Sequence, residues 1–112
     1  MHEGDALAAF ERCLRRGLAL CPYKAALTHL TAVLALALCP EIAVNAVAPG
    51  LIDTPWTAGL DESRDRVARS SPLRRPARAD DVAEVCWSVA QMRYTTGEVF
   101  LVDGGIHRLS GP

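Results

Sequence analysis

Residues 42–50, Ile-Ala-Val-Asn-Ala-Val-Ala-Pro-Gly, decide how this chain folds. The apolar run Ile42–Val47 is short and leads into the sharp-turn pair Pro49-Gly50, a pattern typical of a buried strand in a parallel sheet. Asn45 is the polar exception in the run. A buried amide needs hydrogen-bond partners, so we expect Asn45 to tie the strand to a neighbouring backbone.

A helix is predicted immediately before this strand. Pro22 suits the first turn of a helix, and the apolar residues after it continue to about Leu38, before Pro40 stops the helix. The helix is apolar on nearly every face, so we expect it to be covered from several sides. The strongly apolar part, residues 25–39, is shorter than the ~18–20 residues of a membrane span, which argues against a membrane partner.

The remaining elements alternate between helix and strand. Residues 4–20 have helical apolar spacing, and residues 51–78 predict loop with short helices. Asp80 and Asp81 favour the start of a helix that runs to about Met92, and Val99–Val102 predicts a second buried strand. This order indicates an α/β fold with a parallel sheet. The third helix is expected to bury four side chains: Val82, Val85, Cys86 and Val89.

Composition excludes several classes of protein. The chain has 112 residues, half of them hydrophobic, and a formal net charge of -1, so it reads as one globular domain without the basic surface that nucleic acid requires. Its four cysteines form no C-x-x-C pair and its three histidines are scattered, which argues against a zinc site. We expect reduced, buried thiols and a cytoplasmic location.

Five motifs, in this order along the chain, resemble the C-terminal part of the short-chain dehydrogenase/reductase family. They are Lys24–Leu27, Val44–Gly50, Ile52 with Thr54-Pro55, Asp81–Ala83 and Thr96–Gly105. The resemblance implies an incomplete doubly wound Rossmann-type sheet, with two strands and three or more helices. It covers residues 22–106, leaving residues 1–21 as a helix without a family match and residues 107–112 as a tail.

The resemblance also implies a cofactor and a site. In the family, the lysine that matches Lys24 binds the nicotinamide ribose and lowers the pKa of a catalytic tyrosine. Pro49, Gly50, Ile52 and Thr54 match the loop that holds the nicotinamide end of NAD or NADP. The implied reaction is hydride transfer on the hydroxyl or carbonyl group of a small-molecule substrate. For Thr54, the role of a helix cap is an equal alternative.

The match fails at the catalytic acid. The family's tyrosine lies four residues before the lysine, which places both on one helical face, but here that position is Leu20. Tyr23 is the candidate catalytic residue beside Lys24. Adjacent helical positions point ~100° apart, so Tyr23 could serve only if the segment around Pro22 were not helical.

Two further parts of the family pattern are missing. No serine precedes Ser63, and no glycine-rich phosphate loop is present. The resemblance therefore favours a truncated, catalytically impaired oxidoreductase, and dinucleotide binding by this chain alone is doubtful. The alternatives are a non-catalytic oligomerisation or interaction fragment and a mispredicted reading frame. A homo-oligomer or a complementing chain would contact helix 22–38 and segment 99–106.

Overall fold

A computed structural model describes residues 21–109, with side chains from Lys24 onward. The predicted helix at residues 4–20 lies outside the described residues. Three α-helices, four strands and two short 3-10 helices follow in the order α1 (Cys21–Leu38), β1 (Ala46–Pro49), β2 (Ile52–Asp53), 3-10 (Pro55–Thr57), α2 (Asp61–Ser70), β3 (Ala77–Arg78), α3 (Ala79–Ala90), β4 (Val99–Val102) and 3-10 (Ile106–Arg108). The α/β class is confirmed.

The two predicted strands form a parallel pair. Ala46 of β1 lies opposite Val99 of β4, and Pro49 lies opposite Val102. β1 begins later than the predicted Ile42, because the segment before it bonds to the turn at residues 95–98 and not to a strand. Both strands were predicted to be buried, but their side chains are mostly half-buried. Within residues 21–109, β1 pairs with β4 alone, which leaves its other edge open.

Asn45 does what the sequence predicts. Its Nδ2 donates a hydrogen bond to the carbonyl oxygen of Thr95 at 2.9 Å. Its Oδ1 accepts a hydrogen bond from the backbone N–H of Glu98 at 3.1 Å. The amide therefore joins the start of β1 to the turn that leads into β4, and it helps to set the register of the two strands.

The segment between β1 and α3 contains the predicted loop and short helices, and also a feature that was not predicted. β2 and β3 form a second parallel pair, with Ile52 opposite Ala77 and Asp53 opposite Arg78. Strands of two residues leave no alternation of apolar and polar side chains to detect. This pair holds the loop after β1 against the start of α3.

Helix α1 packs on the rest of the chain through small and hydroxyl side chains. Thr31 and Ala35 are 5% and 3% exposed, and Ala35 lies beside Gly97, where an added Cβ would be 3.4 Å away. Within the described residues one face of α1 is covered, and cover of its other faces by a neighbouring helix or another subunit stays a prediction. The face with Thr31 and Ala35 is the buried one, and four large apolar side chains of the helix are exposed: Leu27, Leu30, Val33 and Leu36.

Helix α3 forms close to its predicted bounds, but none of the four side chains predicted to be buried is fully buried. Val82, Val85 and Val89 are half-buried, but Cys86, predicted to be buried, is exposed. The reason is that Cys86 lies at the margin of an open cleft of about 440 Å³ between α3 and β1. Cys39 is also an exposed free thiol, so the expectation of buried thiols is wrong for both described cysteines.

None of the helices in the described part of the chain has the length and apolar character needed to cross a membrane.

Candidate functional site

The loop that leaves β1 is pressed against the end of β4. The backbone N–H of Gly50 donates to the carbonyl oxygen of Val102 at 2.9 Å. A Cβ added at Gly50 would lie 2.9 Å from Asp103 Cβ and 3.1 Å from Asp103 Cα. Glycine is therefore required here by close packing against Asp103. From the sequence, this glycine was expected to allow a close approach of the loop to a cofactor, which the Asp103 contact neither requires nor excludes.

A side chain that the sequence analysis did not single out fixes the next part of the loop. Thr57 is 8% exposed, and its Oγ1 lies 2.6 Å from the carbonyl oxygen of Ile52. The Thr57 Oγ1 atom also accepts a hydrogen bond from the backbone N–H of Thr54 at 3.0 Å. The Thr57 hydroxyl has one proton to donate, and at this short distance it donates it to the carbonyl oxygen of Ile52. The spacing of three between Thr54 and Thr57, around a proline, was the available signal.

Thr54 occupies the position that caps the 3-10 helix Pro55–Thr57. The backbone N–H of Thr57 donates to the carbonyl oxygen of Thr54 at 3.0 Å, so the capping role of the Thr54 hydroxyl stays a prediction. The Thr54 hydroxyl is half-buried, and it lies 3.4 Å from the Thr57 hydroxyl, which is a long contact. The Thr54 hydroxyl therefore keeps capacity for a stronger hydrogen bond to another group.

Two arginine–aspartate pairs anchor the segment that follows. Arg64 of α2 pairs with Asp53 of β2, and the hydrogen bond to that carboxylate raises the pKa of Arg64. Arg75 bonds both carboxylate oxygens of Asp81, at 2.6 and 2.9 Å. The hydrogen bond from Arg75, followed by that from the backbone N–H of Arg78, holds the pKa of Asp81 well below its usual range. Residues 54–78 are thus fixed at both ends.

Lys24 lies in a cleft that α1 forms with β1. The cleft has a volume of about 200 Å³ and is lined by Lys24, Leu27, Thr28, Ala46, Val47, Ala48, Pro49 and Val99. Lys24 is the only lysine in the chain. The structure therefore brings together two of the predicted site residues, Lys24 and Pro49. Gly50, Ile52 and Thr54 follow on the loop that leaves this cleft.

For the candidate Tyr23, the structure describes the backbone only. Helix α1 includes both Tyr23 and Lys24, and the side chain of Tyr23 is outside the described part of the chain. Because adjacent helical positions are ~100° apart, the helix does not put the two positions on one face.

The chemistry of the cleft suits one end of a dinucleotide. An ammonium group at the mouth can donate to vicinal hydroxyls, and the aliphatic wall from Ala46 to Pro49 can contact a flat ring. Among residues 21–109, no cluster of histidine, cysteine or carboxylate side chains could hold a metal ion. Nor does this range contain a glycine-rich loop for a diphosphate. The described residues could hold a ligand that carries vicinal hydroxyls beside a flat ring.

Comparisons with known proteins show which proteins share this sequence and fold. A family model described as enoyl-(acyl carrier protein) reductase matches residues 7–107. This chain is 49% identical over 82 residues to the granaticin polyketide synthase ketoacyl reductase 2 of Streptomyces violaceoruber. The short-chain dehydrogenase/reductase homolog YusR of Bacillus subtilis is 40% identical over 82 residues. The crystal structure of a small-chain dehydrogenase in complex with NADPH superimposes with a TM-score of 0.68 and 37% identity.

The chain spans only part of these proteins. The aligned region covers 70% of this chain and 33% of the Streptomyces relative. It covers 73% of this chain and 64% of YusR. For the NADPH complex, it covers 73% of this chain and 39% of the solved one. The family match begins at residue 7, upstream of residue 22, where the resemblance in the motifs begins.

Proposed function

Because the chain belongs to the short-chain dehydrogenase/reductase family, we propose that it supplies the nicotinamide-side part of an NAD(P)-dependent oxidoreductase. The reaction is hydride transfer on the hydroxyl or carbonyl group of a small-molecule substrate. One observation supports it most: Lys24 and Pro49 line the same cleft beside a parallel strand pair. Pro49 is the last residue of β1, and ligands of open α/β sheets bind outside the carboxyl ends of the strands.

Each site residue has a separate role in this proposal. Lys24 donates hydrogen bonds from its ammonium group to the ribose hydroxyls. The turn Pro49-Gly50 directs the loop across the end of β4, where Gly50 is held by its bond to Val102. The backbone of Ile52 and the hydroxyl of Thr54 contact the carboxamide end. When bound, the nicotinamide supplies or accepts the hydride.

The hydrogen bonds of the Thr57 hydroxyl hold this loop in one conformation before a ligand binds. Its hydroxyl joins Ile52 and Thr54, the two residues proposed to meet the carboxamide. A binding group that is already fixed loses less conformational entropy when the ligand arrives. Residues 56–78, anchored by Arg64 and Arg75, then form the lid over the substrate.

Proton transfer is the step for which this chain is poorly equipped. Lys24 can hold and orient the ribose, but Leu20 replaces the tyrosine that the family pattern requires. Tyr23 is the nearest phenol in the sequence, and it occupies the adjacent helical position, not one on the same face as Lys24. We therefore propose that the chain alone is catalytically impaired and needs a general acid from elsewhere.

The same reasoning defines a partner. Within the described residues β1 has an open edge, and the leucines of α1 are exposed. We propose that the missing strands of the relatives' domain, or a second copy of the chain, cover α1 and segment 99–106. The free thiols of Cys39 and Cys86 favour a cytoplasmic location.

A chimera tests the proposed function. The front part of the Streptomyces relative, ending just before its match to Lys24, is joined to residues 24–107 of this chain, so that the relative supplies its own general acid. We expect NADPH oxidation in the presence of a ketone, followed by absorbance, and loss of that activity in Lys24→Ala. Arg93→Ala changes a cation that does not line the cleft and serves as the control. A folded chimera whose activity is the same with and without Lys24 would contradict the proposal.

A further inference from the structure

The carboxylate of Asp103 is held by three donors just after β4. Its side chain is 10% exposed. It accepts hydrogen bonds from the backbone N–H of Gly105 at 3.0 Å and of His107 at 3.2 Å. The ring Nδ1 of His107 lies 2.8 Å from Oδ2. Burial raises the pKa of Asp103, but the bonds from His107 and Gly105 outweigh it, so the net pKa is lowered and the group stays a carboxylate.

Two other segments meet at this turn. Gly50 packs against Asp103 so closely that an added Cβ would lie 2.9 Å from Asp103 Cβ. From the other side, the backbone N–H of Leu73 donates to the carbonyl oxygen of Gly104 at 3.3 Å. The position of Asp103 therefore sets where the loop after β1 and the segment after α2 can lie.

His107 is placed to control that position. Its ring bonds to Asp103 across four residues, while none of the hydrogen bonds described for it reaches the Gly50 loop. Among the described side chains, the His107 ring is the one within hydrogen-bond distance of the Asp103 carboxylate. Without the ring, the carboxylate keeps two backbone donors, which can shift together with the turn.

We propose that His107 is a positioning residue for the cofactor loop: by holding Asp103 it fixes the surface on which Gly50 rests, and thereby fixes the loop from Gly50 to Thr54. The assignment of a cofactor role to that loop rests on the proposed function, but the mechanical coupling does not. His107 touches neither the Lys24 cleft nor the loop itself. In this proposal, His107 acts through the hydrogen bonds of its ring to Asp103.

Amide hydrogen exchange of the full 112-residue chain, read residue by residue by NMR, tests this coupling. We expect His107→Ala to accelerate exchange at Gly50 by about three- to tenfold, the factor for one lost hydrogen bond. Ala48 and Phe100, whose amides face the partner strand in this register, keep their rates. A side chain that served only general stability would accelerate all three amides together.

Three further variants separate the lost hydrogen bond from the lost ring. His107→Asn places an amide N–H₂ near the position of Nδ1, so we expect it to restore slow exchange at Gly50. Arg108→Ala changes the neighbouring side chain and is expected to leave the rate unchanged. Asp103→Asn removes the charge while it keeps one acceptor oxygen, and we expect it to accelerate exchange at Gly50 as His107→Ala does.

Three results would overturn the proposal: an unchanged rate at Gly50 in His107→Ala, equal acceleration throughout β1 and β4, or no protection of Gly50 in the unsubstituted chain. The readout requires no dinucleotide. A chimera that fails to use NADPH would therefore contradict the proposed function and leave the positioning role of His107 standing.

Discussion

Replacing Gly50 by alanine puts a methyl group where the structure has no room for one. The new Cβ would lie 2.9 Å from Asp103 Cβ and 3.1 Å from Asp103 Cα. Neither atom can move by rotating a side chain, so the backbone of the loop or of the turn must shift. The backbone of Gly50 is not in the left-handed region, so the cost is steric alone. Overpacking of this kind costs about 1–3 kcal/mol, and we expect about 2 kcal/mol.

Gly59 provides the matched control, because an added Cβ there would have no neighbour within 4 Å. Gly59→Ala should leave the free energy of unfolding unchanged or raise it by up to about 1 kcal/mol, since alanine restricts the unfolded chain. Urea unfolding followed by circular dichroism gives both values. In a domain of this size, Gly50→Ala should also lower Tm by roughly 10 °C. Equal stabilities for the two variants would refute the packing argument.

Three further substitutions test the contacts that shape the site. Asn45→Ala should lower the free energy of unfolding by about 1–3 kcal/mol in urea, because two backbone partners lose their bonds; a change below about 0.5 kcal/mol would contradict this. Thr57→Val, nearly equal in volume, should lower it by about 1–3 kcal/mol, while Thr57→Ser should recover most of the loss; equal effects would show that the hydroxyl is not responsible. The lowered pKa of Asp81 means that its pair with Arg75 stabilises the fold above about pH 4 and that this stability is lost as the pH falls further. Asp81→Asn should therefore flatten the acid side of a stability–pH curve, and Asp80→Asn should not; identical curves for both would contradict the assignment.

The strand pair could be predicted because each strand is marked by a short local run of apolar residues that contains few polar ones. Val99–Val102 was found with the predicted bounds, since a short apolar run before a glycine pair allows few alternatives. Asn45 was predicted to bond to a neighbouring backbone because a buried amide must find partners. Both the apolar run and the buried amide impose a requirement that belongs to the residue type itself, and this requirement can be read from the sequence.

The packing of α1 could not be predicted in the same way. Hydrophobicity marks Leu27, Leu30 and Leu36 as core residues, yet the helix approaches the sheet through Thr31 and Ala35. Small side chains let a helix lie close to a neighbouring surface, but the sequence of the helix does not show which surface that is. The role of Thr57 could not be predicted for the same reason: its hydroxyl fixes the loop only because the backbone brings the carbonyl oxygen of Ile52 within hydrogen-bond distance.

The central claim is that Lys24 and the loop after β1 hold the nicotinamide end of a dinucleotide, and the equilibrium dissociation constant of NADPH tests it most directly. It is measured for the chimera and for its Lys24→Ala and Arg93→Ala variants. A hydrogen bond from a charged group contributes about 1.5–3 kcal/mol, so Lys24→Ala should weaken binding by about ten- to a hundredfold, with no change in Arg93→Ala. An NADPH dissociation constant that is the same with and without Lys24 would contradict the account.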